Sequence, residues 1–396
     1  MPSDRRVSSF VLPSRDINRR SIVQKAAASF AAAAMGSRLI KGATAQTPAA
    51  SPVADGDLNV RPNGASLSAE QKKAYTDAVL ALKQKPSPWL AGISTYDTFV
   101  LWHRDAFGCG VNAAHMGPAF FPWHRMYLHL FEQQLQEVDP TVSLPYWDWT
   151  VDQAMDSWVW QDDFMGGNGS PDDDEAVMTG PFAKGNWELT VFDYTDPHKL
   201  AWITRDFAAG GLGPDLPTPE QVEAALAIDT YDAAPWSASS PTAQSFRNNL
   251  EGWRDCVEDM CDPTAGMGTI CTGDHLLHNR VHLWVAGEFA FAHELQTGMT
   301  GHQATPVAGD EEMILGTMAA NTSPNDPVFF QHHTNLDRLW SAWMARHGQN
   351  YLPESGGPVG HNIDDAMWPY HQIGMQITPR MMQDSRSLGY IYDTEQ

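Results

Sequence analysis

"LLHNRVHLWV", Leu276 to Val285, sets His278 and His282 four residues apart. In a helix the two lie on one face, about one turn from each other. Imidazoles so placed can face one metal ion. They can equally be two ordinary histidines on a half-buried helix. The choice separates a helical core built around a metal centre from a helical core alone, and the rest of the chain has to make it.

Four further segments carry the helical period. "SLSAEQKKAYTDAVLALK" (66–83) opens with a capping box: Ser66 or Ser68 precedes the apolar stripe, and Gln71 follows Ser68 by three. "TYDTFVLWHRDAF" (95–107) reads as the second helix. "FFPWHRMYLHLFEQQLQEV" (120–138) is the third, with His124, Leu128, Phe131 and Leu135 on one stripe. "DHLLHNRVHLWV" (274–285) is the fourth. "NDPVFFQHHTNLDRLWSAWMARHG" (325–348) is the fifth: Asp326 can cap it, Pro327 suits its first turn, and Gly348 ends it. Between the third and fourth lies a Pro/Gly/Asp-rich region, 140–245. Within it "GGNGSPDDDE" (166–175) reads as a solvated loop and lacks the spacing of a calcium loop. With no internal repeat and no clear break, one mainly α domain with long ordered loops is expected.

The histidines follow these helices. His103 sits in the second, His115 in a short loop before the third, and His124 in the third's first turn. His278 and His282 share the fourth, and His332 and His333 are adjacent in the fifth. Helices that carry ligands inward predict a four-helix-bundle core holding a metal site. The set is imidazole-rich, with no carboxylate or thiolate at matching spacing, which suits copper, zinc, iron or nickel. "HELQT" at His293 misses the zinc-peptidase pattern because residue 297 is Thr. Six imidazoles in two sets of three point to two copper ions, a dinuclear site.

Composition bounds the rest. The 396 residues, 42% hydrophobic with 15 Trp and 16 Phe, suffice for a large core. "NRRSIVQKAAASFAAAAM" joins Arg19 and Arg20 to an apolar run, Ala26 to Met35, too short to span a bilayer. Small residues Ala43 and Ala45 follow. Residues 1–45 therefore read as a twin-arginine-type export signal, 46–57 as a linker, and 58–396 as the folded part; the exported chain would be periplasmic or secreted. The signal carries 8 of the 25 basic and 2 of the 48 acidic residues, so the remainder has 17 basic and 46 acidic and a net charge of −29. Such a surface repels nucleic acid and anionic lipid, and no segment beyond the signal is apolar enough for membrane insertion. Cys109, Cys256, Cys261 and Cys271 could form disulfides after export, most readily within 256–271. A zinc knuckle is the rival reading there, weakened by the lack of CxxC spacing.

"HMGPAFFPWHR" (115–125), "LPYWDW" (144–149), "HNRVHLWV" (278–285) and "SPNDPVFFQHHTNLDRLW" (323–340) closely resemble tyrosinases, the type 3 copper polyphenol oxidases. The resemblance runs from about Arg61 to the C-terminus and includes "GPFAKGNWELTV", "SFRNNLEGW" and "GHNIDDAMWPY", which look like bacterial members. It implies His103, His115 and His124 on one copper and His278, His282 and His333 on the other, with His332 packing beside them. "LGYIYD" (388–393) is similar to the tyrosine motif that closes the catalytic domain, and Arg61 matches the arginine it meets. Fungal and plant precursors carry a C-terminal shielding domain, which the sequence here does not show.

The resemblance further implies oxidation of phenols to o-quinones with O2. A phenol's pKa is about 10, so a base helps at neutral pH. The family's water-holding Glu and Asn match Glu251 and Asn279. Twenty-six residues separate Glu251 from His278, an insertion that could displace the carboxylate, and a second insertion lies between His282 and His333. Residue 113 is Ala, so the cysteine that some relatives join to a ligand histidine is absent there. Phenolic small molecules and O2 are the expected partners, with a copper-delivery helper protein as a candidate. Alternatives are a catechol oxidase or o-aminophenol oxidase without efficient hydroxylation, and a haemocyanin-like oxygen carrier.

Overall fold

Ser68 decides where the first helix starts. Its hydroxyl accepts from the Gln71 amide while the Gln71 side chain accepts from the Ser68 amide, so two free amides of the first turn are satisfied at once. The other candidate, Ser66, closes a short 3-10 turn instead. In a computed structural model of the chain, the described residues are 58–107, 114–194, 196, 198–209, 215–252, 277–291 and 312–396. The expected export signal and linker, all four cysteines and the central parts of both insertions lie outside them.

The five expected helices are present: α1 (Ala69–Gln84), α2 (Thr95–Ala106), α3 (Phe120–Gln136), α6 (Leu277–Ala286) and α7 (Val328–His347). Two short ones stand between α3 and α6: α4 (Pro219–Leu226) and α5 (Phe246–Glu251). At the start of α7 the expectation shifts by one residue. Pro327 takes the cap position, and Asp326 stands before it, accepting from the Val328 amide at 3.2 Å. Asp326 is drawn there by Arg205, which grips both its oxygens at 2.7 Å.

Strands are few and paired in twos. β1 (Asn59–Arg61) runs parallel to β6 (Tyr390–Tyr392), β2 (Gly169–Ser170) opposes β3 (Ala176–Val177), and β4 (Glu288–Phe291) opposes β5 (Glu312–Leu315). The segment 166–175, expected as a solvated loop, thus contributes one strand of a small hairpin. Arg205 holds its start through the carbonyls of Met165, Gly166 and Gly167.

The core centres on α3, which packs against α1, α2 and α7, while α6 packs against α5. The stripe read from sequence is the buried face: His124, Leu128, Phe131 and Leu135 are all within the core. Phe131 stacks on Phe330 of α7 with ring centroids 3.5 Å apart.

The chain ends close over this core through a buried ion network. Arg61 on β1 binds Glu132 of α3 at 2.7 Å and Asp337 of α7 at 3.2 Å. Arg125 reaches the same Asp337 at 2.6 Å, and the hydroxyls of Tyr390 and Tyr392 donate to it. The Arg61 guanidinium lies 3.5 Å from the Tyr390 ring centroid, joining the tyrosine motif to the arginine the sequence paired it with. Burial alone would raise the Asp337 pKa; Arg125, Arg61 and the two hydroxyls outweigh it and hold the pKa below the usual carboxylate value. A depressed carboxylate stabilises the fold above its unfolded pKa and loses that contribution as pH falls through the folded value. Asp337→Ala would leave two buried guanidiniums underpaired. It should cost about 3–5 kcal/mol, read from denaturant unfolding; a loss within the scatter of surface substitutions would mean that the network is dispensable.

Candidate metal centre

Four helices and one loop bring seven histidines together. His103 comes from the last turn of α2, His115 from the loop before α3, and His124 from the first two turns of α3. α6 supplies His278 and His282, and α7 supplies His332 and His333. They form two groups, His103–His115–His124 and His278–His282–His332–His333, whose ligand atoms within each group lie within 4.8 Å of one another. The groups adjoin: the His333 ring stacks 4.4 Å from His124, and the His278 ring lies 6.2 Å from His115. Every copper ligand expected from sequence is therefore in one group or the other. His332, expected only to pack beside them, falls inside the second.

Backbone carbonyls fix the rings. The Nδ1 of His103 meets the Asn321 carbonyl at 2.7 Å and that of His124 meets Phe120 at 2.8 Å. His278 meets Glu251 at 3.1 Å and His282 meets Met318 at 2.6 Å. A carbonyl only accepts, so Nδ1 carries the hydrogen and Nε2 keeps its lone pair. The Nε2 atoms of His103, His124 and His278 are buried with no hydrogen-bond partner, as are both nitrogens of His332 and the Nδ1 atoms of His115 and His333. A buried polar atom left so costs about 1–3 kcal/mol. Several such atoms converging in one place fit a cation that accepts their lone pairs. His282 Nε2 and His333 Nε2, 3.3 Å apart, complete the set.

Burial keeps these imidazoles neutral. It pushes the pKa of His103 down to about 3 and that of His282 to about 4. His115, His124, His278, His332 and His333 fall well below the ordinary value, first by burial and then through their neighbouring imidazoles. A neutral ring is the metal-binding form, and the set has no carboxylate among its ligand atoms, which suits copper.

Glu251 and Asn279 lie beside the second group. Glu251 ends α5 and is fully buried; its carboxylate accepts from Arg247 at 2.8 Å and from the Met116 amide at 2.5 Å. Met116 follows His115 and has a φ of 59°, the left-handed region that a side chain disfavours, so Glu251 helps hold that turn. The insertion after Gly252 has not displaced Glu251, because its own carbonyl receives His278 Nδ1. Asn279 Nδ2 donates to the Gly252 carbonyl at 3.0 Å.

Sequence reading missed the segment 317–321. Its Met318 and Asn321 carbonyls orient one histidine from each group. Backbone acceptors leave no mark in residue identity, and the one visible signal is Gly316 just before the segment. A Cβ there would lie 2.3 Å from the Ala286 carbonyl oxygen and 2.9 Å from that of Thr204.

A helical fold with two adjoining clusters of neutral imidazole fits a metalloprotein of the type 3 copper class. The family model for the common central domain of tyrosinase matches residues 93–346. The tyrosinase of Streptomyces glaucescens is 37% identical over 85% of this chain and its own whole length. Grixazone synthase of Streptomyces griseus is 36% identical over 79% of this chain and 94% of its own. Among solved structures, a polyphenol oxidase from Thermothelomyces thermophila shares the fold at a TM-score of 0.56 and 20% identity, covering 86% of this chain and 90% of that one. The chain belongs to the tyrosinase family and is a copper oxidoreductase that acts on phenols with O2.

Gly316→Ala should press on two backbone carbonyls and shift the segment behind it. Overpacking of this kind costs about 1–3 kcal/mol. A lower melting temperature together with weaker copper retention is expected against a chelator series; unchanged retention would free the segment from any part in orienting His103 and His282.

Proposed function

We propose that the chain hydroxylates monophenols and oxidises o-diphenols to o-quinones, with two copper ions. His103, His115 and His124 would hold one ion, and His278, His282 and His333 the other. The observation that carries this reading is the adjoining pair of imidazole groups with orphaned buried nitrogens. Bound copper would supply the reduction of O2 and the oxidation of the phenol; the protein supplies position, dryness and a path for the proton.

A phenol with a pKa of about 10 must lose its proton to be oxidised this way. The Glu251 carboxylate is paired with Arg247 at 2.8 Å, which suits it to hold a proton acceptor in place. With Nδ2 committed to Gly252, the Asn279 amide keeps its oxygen as an acceptor. A water donating to that oxygen and to the Glu251 carboxylate would turn a lone pair towards the phenol. In this reading Glu251 and Asn279 orient the proton acceptor. The runner-up is a catechol oxidase or o-aminophenol oxidase. Relatives of equal similarity bear the names tyrosinase and grixazone synthase, so similarity alone does not choose between these substrates. Export by the twin-arginine route belongs to the proposal, on Arg19, Arg20 and the apolar run behind them.

Two copper ions per chain are expected by metal analysis after loading; one ion, or retained zinc, would refute the dinuclear reading. His333→Ala should lose one of the two ions while His332→Ala keeps more of its copper, and the reverse would exchange their roles. Glu251→Gln, at unchanged copper content, should slow monophenol turnover by about 10²–10⁴-fold and diphenol turnover less. Equal losses on both substrates would make Glu251 structural.

A further inference from the structure

A phenol oxidase is itself made with tyrosines, and this chain has ten. Nine are 3% exposed or less, with rings inside the core where no second molecule can reach them. The tenth, Tyr194, is 76% exposed. We propose that Tyr194 is a self-modification site, oxidised to its o-quinone by the centre of a second copy of the chain. The proposal rests on the monophenol-hydroxylating reading above.

The local structure presents this ring and does not hide it. Arg104 Nη1 donates to the Phe192 carbonyl at 3.1 Å, pinning the loop to the end of α2. Arg104 Nη2 donates to the Tyr194 hydroxyl at 2.6 Å, which donates to Asp105 at 2.9 Å. The guanidinium lies 3.9 Å from the ring centroid. Arg104 is half-buried, but Asp105 and the Tyr194 hydroxyl are exposed, and water replaces bonds between exposed groups at little cost. By contrast the buried hydroxyls bond to interior groups, as Tyr96 does to the Pro324 carbonyl and Tyr231 to that of Pro118. Tyr194 is tethered on the outside of α2, whereas His103 on the same helix is buried, so the ring faces solvent, where a second copy can meet it.

The step balances with O2 as the only co-reactant. One ring C–H ortho to the hydroxyl gives way to a C=O bond, and the phenolic O–H becomes the second C=O. The two hydrogens leave with the other oxygen atom as one water. The ring gives up four electrons and O2 accepts four. The quinone is an electrophile, and an added thiol closes on it by forming one C–S bond, which returns the ring to a catechol.

The test uses the copper-loaded full chain in air with cysteine and a short tyrosine-containing peptide. Protein is digested and the Tyr194 fragment is weighed by mass spectrometry. The expected result is a fragment that has gained one oxygen and lost two hydrogens, or its cysteine adduct, formed at a per-chain rate that rises in proportion to protein concentration. Tyr194→Phe should abolish the signal and leave oxidation of the added peptide unchanged. An unmodified Tyr194 while the peptide is oxidised overturns the inference and leaves the functional reading intact. A rate independent of concentration overturns the second-copy step. If catechol is oxidised and neither tyrosine reacts, the monophenol reading has failed and the inference falls with it.

Discussion

The hydrogen bond from imidazole Nδ1 to a backbone carbonyl is the constraint on which the rest depends. Four of the seven histidines make it, and the acceptors come from three stretches of structure: Phe120 in α3, Glu251 at the end of α5, and Met318 and Asn321 in the segment 317–321. Each bond sets a tautomer and a ring direction together, and so directs the lone pairs towards one place. Convergence of uncharged acceptors in a dry interior is unfavourable without a cation. The surrounding fold has to hold it, and a packed helical core with large stacked aromatics resists the relaxation that would relieve it.

Charge is arranged around that neutral centre. Buried carboxylates on and beside these helices are committed to cationic side chains: Asp97 to Lys83, Glu132 to Arg61, Asp337 to Arg61 and Arg125, Asp326 to Arg205, Asp232 and Glu251 to Arg247. A carboxylate so paired does not compete for a metal. The positive charge of bound copper would instead be met by dipoles, imidazole first and the carbonyl behind it. Glu251 works at the boundary of the two systems. Its carboxylate holds the strained turn after His115 and its carbonyl orients His278, so one residue links the first group to the second.

Helix positions and the histidines that cluster were legible because both are written in periodicity and residue type. The His124 stripe and the pair His278–His282 needed only the helical repeat. The helix α4 was missed although its signal is present: Thr218 and Gln221 form a capping box with Pro219 in the first turn. The Pro/Gly/Asp richness of its surroundings masked it. The one-residue shift at α7 was not legible, since Arg205, 121 residues away, draws Asp326 out of the cap position. Nor was the role of the segment 317–321, which acts through carbonyls that every residue has. Glu251 was found by motif, but its tie to Arg247 four residues earlier shows only when both are known to be buried on one helix.

His332 and His333 both fall in the second group, and their surroundings bear on the proposed choice between them. Neighbours on a helix point roughly 100° apart, so they ordinarily serve different surroundings. Here α6 lies against both directions, and each ring finds His278: His332 stacked at 5.2 Å, His333 edge-on at 5.0 Å. The distinction lies on the far side. His333 also stacks on His124 at 4.4 Å and on Phe329 at 4.0 Å, between the two groups. His332 turns instead towards Trp149, 6.4 Å away, on the outer side of the second group. Two ions that share one O2 have to be neighbours, and a ligand lying between the groups keeps its ion on the shared side. A ligand at the position of His332 would draw the second ion away from the first. Its stacking on His278 gives His332 a different use, to keep that ring from turning once its Nδ1 is bound.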